Sequence, residues 1–233
     1  MLCGLNTPTP SSTPVATTTP TNTSSPTATS TRIYTYIPTI TPTPRPGTPT
    51  ATPSCTITFS DVYPTDYFYV AVRYLYCHGV ISGYADGTFR PGSNTTRGQL
   101  TKIVTLAEGW SVECPSTGHF SDVPAGSVFY CFVETAFSHG VISGYADGTF
   151  RPANNVTRAQ LCKIIVLAQG WSIDTTGGPH FTDVAPTDTF YGFIETAFNH
   201  SVVSGYDDHT FRHGNPATRG QISKIVYQAL GQP

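Results

Sequence analysis

The stretch Ile81-Ser82-Gly83-Tyr84-Ala85-Asp86-Gly87-Thr88-Phe89-Arg90-Pro91 returns unchanged at Ile142–Pro152 and in altered form at Val203–His213. The period is 61 residues, the spacing of Asp61, Asp122 and Asp183, of Gly83, Gly144 and Gly205, and of Arg97, Arg158 and Arg219. A supersecondary unit used three times at constant spacing is too small to bury its own apolar face, so the copies are expected to share one core. The Asp-Gly pair inside the stretch suits a tight turn between short extended pieces.

Helices are predicted on either side of this loop. Before it, Phe68, Val72, Leu75 and Tyr76 follow helical spacing, and His78-Gly79 offers a left-handed C-terminal cap. After it, a second helix opens at Thr96, with Leu100, Ile103, Val104 and Ala107 at i, i+3, i+4 and i+7. The stripe repeats as Leu161, Ile164, Ile165, Ala168 and as Ile222, Ile225, Val226, Ala229. The reading is a mainly α protein: three helix-loop-helix units in a pseudo-threefold arrangement around a central three-helix bundle. The units are predicted at 55–113, 114–174 and 175–233, after a Thr/Pro/Ser-rich segment at 1–54.

Phe59-Ser60-Asp61-Val62, the Gly-Tyr-Ala-Asp-Gly-Thr-Phe-Arg-Pro loop and Thr96-Arg97-Gly98-Gln99, each recurring in order, resemble the modules of the S-layer homology family. The resemblance covers about residues 55–231. It implies a three-module spindle that holds secondary cell-wall polysaccharide, often with pyruvylated sugars, in grooves between modules. The anion-binding Arg of the family motif falls on Arg97, Arg158 and Arg219, with Thr96, Thr157 and Thr218 beside them and Gly83, Gly144, Tyr84 and Tyr145 as loop residues of the site. Two departures stand out. Gln99, Gln160 and Gln221 replace a Glu, and the third loop carries Asp208-His209 and His213, so Arg219 is expected to contribute less to binding than Arg97 or Arg158.

Thr96 and Gln99 also satisfy a capping box, which explains both without a ligand. The Arg does not follow from capping, because a cation in the first turn opposes the helix dipole. As an exposed side chain beside free helix amides it suits a carboxylate or phosphate. The competing reading pairs each Arg with Asp61, Asp122 or Asp183. Tyr84, Tyr145 and Tyr206 fit either a sugar face or the core, and Trp110 and Trp171 are expected to cap the hydrophobic centre. His78, His139 and His200 suit helix C-termini rather than a metal, and Asp86 and Asp147 suit turns rather than calcium.

Composition narrows the function. Among 233 residues, 12 are basic and 14 acidic, for a net charge of -2, so nothing favours nucleic acid or an anionic membrane surface. No run approaches the roughly 20 apolar residues that cross a bilayer. Met1-Leu2-Cys3-Gly4 lacks a signal peptide's pattern, so an export signal is expected to have been removed or a larger N-terminal part to be missing. No nucleophile elbow, phosphate-cradling loop or recurring carboxylate pair is present, so neither an enzyme nor a cofactor is expected. Six Cys without metal spacing favour disulfides in an exported chain. Cys55 and Cys114 each precede a module's opening Phe, and Cys77 and Cys131 lie on the helix that follows. The expected pairs are therefore Cys55 with Cys77 and Cys114 with Cys131, with Cys162 a buried thiol. Cys3 stays open between carrying a lipid, linking two chains and being a remnant of cloning.

From about Thr7 to Ser54 the chain is nearly all Thr, Pro and Ser, with little to bury. It reads as an extended stalk, reaching roughly 150 Å as polyproline II, with hydroxyls suited to O-glycosylation. Ile33-Tyr34-Thr35-Tyr36-Ile37 interrupts it, either as an added strand or as a sticky patch. The functional expectation is a surface anchor that binds an anionic wall glycan. The alternative is a structural subunit whose modules self-associate into a lattice or filament. A chain beginning at Pro53 should keep the melting temperature of the full chain in circular dichroism, since the Thr/Pro segment has so little apolar surface to contribute.

Overall fold

In the computed structural model, which describes residues 55–232, six helices account for the regular structure. They are α1 (Tyr69–Cys77), α2 (Arg97–Ala107), α3 (Tyr130–Ser138), α4 (Arg158–Ala168), α5 (Tyr191–Asn199) and α6 (Arg219–Ala229). The Thr/Pro segment, its Ile33–Ile37 island and Cys3 lie outside the described residues. Each first helix ends where Gly79 or Gly140, at φ near +70°, turns the chain away, and Ser201 takes the same left-handed place in the third repeat. Each second helix begins with a complete capping box: Thr96, Thr157 and Thr218 accept from the amides of Gln99, Gln160 and Gln221, whose side chains accept from the Thr amides.

Packing runs across the repeats. α2 packs on α3, α4 on α5 and α6 back on α1, while α2, α4 and α6 meet one another at the centre. Leu100, Leu161, Ile222 and Ile165 are fully buried there. Phe89, Phe150 and Phe211 plug the three loops. The second-helix stripes are therefore the core, with Ala107 and Ala168 at its half-buried edge. On the first helix Val72 and Leu75 are buried while Tyr76, at the margin of its stripe, is exposed, and each repeat completes its neighbour.

Above the bundle the chain closes on itself through backbone. Thr95 N–H donates to Ala217 O at 3.0 Å, Ala217 N–H to Val156 O at 2.9 Å, and Val156 N–H to Thr95 O at 2.9 Å. Isolated antiparallel bridges flank this triangle at Asn94 with Thr218, Thr96 with Asn155 and Thr157 with Pro216. These are the only extended pairings among the described residues.

Each loop is held by an Asp. Asp61 accepts from the amides of Phe89 and Arg90 at 2.7 Å each, and Asp122 and Asp183 do the same at Phe150–Arg151 and Phe211–Arg212. These bonds hold Arg90, Arg151 and Arg212 at φ of 57–59°, a region costing roughly 1 kcal/mol or more for a residue with a side chain. In the altered third loop His209 sits at φ 60°, where the other copies place Gly87 and Gly148. Gly83 is required for a different reason, since a Cβ there would run into the Phe59 ring.

Disulfides join Cys55 to Cys77 and Cys114 to Cys131, and Cys162 is a buried free thiol. With partners 22 and 17 positions apart in the sequence, each bridge restrains the unfolded chain by about 3 kcal/mol in the loop-entropy picture. In the second and third repeats, buried Glu134 and Glu195 accept from the backbone amides of His119 and His180 and contact the same rings at Nδ1.

Within the triangle, the Thr95 hydroxyl is buried without a partner among the described residues, whereas the matching residues are Val156 and Ala217. An unpaired buried hydroxyl costs about 1–3 kcal/mol. Thr95→Val should therefore leave the melting temperature unchanged or raise it by a few degrees, read by calorimetry; a clear fall would show that the hydroxyl contributes to closure.

Candidate functional site

The first turn of each second helix reaches into the next repeat. Arg97 Nε donates to Phe150 O at 2.9 Å and its Nη2 to Ser143 O at 3.3 Å. Arg158 makes the same bonds to Phe211 O and Ser204 O, and Arg219 closes the circle on Phe89 O and Ser82 O. The guanidinium carbons lie 4.3–4.5 Å over the Phe150, Phe211 and Phe89 rings, and near 5 Å from Tyr145, Tyr206 and Tyr84.

This geometry corrects three expectations. First, Arg97 and Arg158 are not exposed, being only 7% and 6% accessible, and Arg219 is half-buried. Second, the helix amides are not free: Arg97 and Gly98 donate theirs to Asn154 O and Pro152 O, and the later copies repeat the pattern. The loop of the next repeat has consumed the groups that an anion would have used. Third, because each Arg serves the following repeat, the altered third loop belongs with Arg158, while Arg219 serves the regular first loop.

The pairing with Asp is also not what forms. Asp61, Asp122 and Asp183 hold backbone amides, and among the described residues no carboxylate lies within ion-pair distance of Arg97, Arg158 or Arg219. Burial pushes the Arg97 and Arg219 guanidinium groups down from their ordinary range, with Tyr145 and Tyr84 opposing it. They remain cationic at neutral pH, since Arg starts so high.

Two grooves open at these junctions. One, of about 140 Å³, is lined by Arg97, Tyr145, Gln160, Lys163 and Phe190, together with Gly144. The other, of about 430 Å³, is lined by Arg158, Tyr206, Gln221, Lys224 and Gln228, with Tyr67 from the first repeat. Neither lining contains an acidic residue. Lys163 and Lys224 were not singled out in the sequence, although Lys102, Lys163 and Lys224 share the 61-residue spacing.

Tyr84 and Arg219 meet at the matching junction, again across repeats. Arg90 also lies over Tyr84, at 4.0 Å, but it is neutralised by Asp86 at 2.8 Å. The histidines expected at helix ends stack separately: His78 on Tyr74, His139 on Trp110 and His200 on Trp171. The two Trp rings thus clamp a neighbouring repeat's helix end while packing against the core.

The S-layer homology domain model matches residues 58–101, 119–162 and 180–222, together more than half of the chain. The chain belongs to the S-layer homology domain family. It is similar to a "Cell surface glycoprotein 1" of Acetivibrio thermocellus, 31% identical over 64% of this chain and 7% of the relative. An "Endoglucanase" of a Bacillus species (strain KSM-635) is 28% identical over 74% of this chain and 18% of its own length. A "Cellulosome-anchoring protein" of Acetivibrio thermocellus is 29% identical over 47% of this chain and 25% of its own length. The chain therefore spans a quarter or less of each of these relatives. Family and relatives place it outside the cell, at the surface or wall.

The Asp86, Asp147 and Asp208 carboxyls are held down at about 2, first by the hydroxyls of Thr88, Thr149 and Thr210, then by Arg90, Arg151 and Arg212. A lowered folded pKa means that their contribution to stability is present above the unfolded value near 4 and is lost as pH falls toward 2. Carboxyl-detected NMR titration should place the Asp86 midpoint near pH 2. Thr88→Val should raise that midpoint more than Arg90→Ala does; midpoints in the ordinary carboxylate range in the parent would contradict the geometry.

Proposed function

We propose that the three repeats anchor the chain non-covalently to an acidic wall polysaccharide held in the grooves at the repeat junctions. The observation that carries this reading is the charge imbalance: Arg158 with Lys224, and Arg97 with Lys163, line grooves with no acidic residue, in a chain whose net charge is -2. A buried guanidinium that meets carbonyls and ring faces but no carboxylate is an incompletely compensated charge, and an anion in the groove offsets it. Gln adds to the effect. In the capping box its Oε1 faces the helix start, leaving Nε2 as a donor; Gln221 Nε2 donates to the Tyr206 hydroxyl at 3.3 Å.

The role is binding rather than catalysis. Similarity to an endoglucanase and to a cellulosome-anchoring protein over a small part of each supports modules that attach other domains to the surface. The grooves and Arg97, Arg158 and Arg219, with the neighbouring loop residues Tyr84, Tyr145, Gly83 and Gly144, form the glycan site in this reading, and Thr96, Thr157 and Thr218 set the helix starts that aim the Arg side chains.

Removing an Arg cannot separate folding from binding, because Arg158→Ala orphans two loop carbonyls. Changing Gln can. Glu keeps the capping box, and its second oxygen can accept from the Tyr206 hydroxyl, yet it places a negative charge in the groove. Gln160→Glu with Gln221→Glu should therefore preserve the melting temperature and weaken binding to purified acidic wall polysaccharide about tenfold at low salt, with a smaller difference at high salt. Cosedimentation alongside thermal melting reads both effects. Unchanged affinity in the folded double variant would contradict the charge imbalance on which this reading rests.

A further inference from the structure

The three junction grooves are not equivalent. By the 61-residue period Tyr67 matches Val128 and Thr189, so the ring that lines the Arg158 groove has no counterpart at that position in the other two repeats. The Arg97 groove receives half-buried Phe190 from the neighbouring repeat, whereas the Arg158 groove receives the exposed Tyr67 ring, and its cavity of about 430 Å³ lies within the range that holds small ligands. The Arg97 groove, at about 140 Å³, lies below that range.

A second substitution acts in the same direction. Lys102 and Lys163 lie over Phe132 and Phe193, at 5.3 and 5.8 Å from the ring centroids. The matching residue of the first repeat is Ala71, which offers no ring, and Lys224 lies instead over Tyr67 at 5.5 Å. Tyr67 is braced edge-on by Phe68 at 4.9 Å, yet remains 61% exposed. Its packing on the core does not account for it. Across the groove stands Tyr206, itself next to Arg158 at 5.2 Å.

We propose that the groove between the third and first repeats is the principal saccharide subsite, in which Tyr67 stacks on the apolar face of an acidic sugar whose anionic group is taken by Arg158 and Lys224. The proposal rests on the polysaccharide reading above and adds to it a preferred groove and a residue that sets the preference. A ring fixed by two χ angles gives contact area at low entropic cost. The paired cations require a negative charge on the sugar, either a carboxylate such as a pyruvate ketal or a phosphate ester.

Titration calorimetry on the full chain tests this with three probes: a methyl 4,6-O-pyruvyl-hexoside, a methyl hexoside 6-phosphate and the uncharged methyl hexoside, beside cosedimentation with intact wall polysaccharide. The expected result is one tighter site per chain for at least one acidic probe, little binding of the uncharged one, and a three- to tenfold weaker tight site in Tyr67→Ala at an unchanged melting temperature. Tyr67→Phe should restore the affinity, since the ring face and not the hydroxyl makes the contact. Preference between the acidic probes identifies the anion. If Tyr67→Ala binds every probe as the parent does while the parent still sediments with polysaccharide, this proposal fails and the anchoring reading stands. Equal binding of the uncharged hexoside also overturns it. If the parent binds neither probes nor polysaccharide, both readings fall together.

Discussion

Three backbone hydrogen bonds, from Thr95 to Ala217, from Ala217 to Val156 and from Val156 to Thr95, tie together three points that lie 61 residues apart in the chain. Everything else in the fold is arranged around that closure. The residues that follow each point begin a helix of the central bundle, and the first free amides of that helix are completed by carbonyls of the next repeat's loop. A repeat standing alone would leave these donors unpaired and would lack the partner for its second helix. The last link, α6 on α1, closes the circle without any covalent connection, so the three repeats hold one another as a set.

The grooves arise from this same crossing. Because Arg97, Arg158 and Arg219 leave one repeat to bond the loop carbonyls of another, each junction acquires a cation that belongs structurally to both sides. Arg90, Arg151 and Arg212 are nearby and equally charged, but each has an Asp four residues away and is neutral as a pair. The difference matters for binding: the paired arginines fix the loop, while the unpaired ones leave positive potential in a concave site. Gln in place of Glu at the helix start preserves that potential, and Lys163 or Lys224 adds to it.

Much of this was legible in the sequence, for identifiable reasons. The 61-residue spacing exposes the threefold repetition, Leu100-Ile103-Val104 and its copies expose the bundle, and Thr-x-x-Gln marks the helix starts, because all of these are local or periodic signals. The placement of Cys55 and Cys114 before a first helix led to the disulfide pairs that the structure contains. Spacing carries no information about which copy packs on which. Arg97 finds its partners 46 and 53 residues ahead and Arg219 finds its own 130 and 137 residues back, so neither the burial of the arginines nor the use of the helix amides was visible. Assigning the altered third loop to Arg219 failed for the same reason. Lys224 on Tyr67 depends on the loss of a ring at Ala71, a contact between the first and last repeats that only the closed fold brings together.

The most direct measurement of the closure is native-state hydrogen exchange at the amides of Thr95, Val156 and Ala217. If the three bonds form one cooperative unit, all three amides exchange only through global unfolding, with a common opening free energy equal to that of the whole folded region and the same denaturant dependence. An Ala217 or Thr95 amide that opens at distinctly lower free energy, while Val156 stays protected, would show that the α6–α1 junction separates by itself and that the ring is not the constraint holding the repeats together.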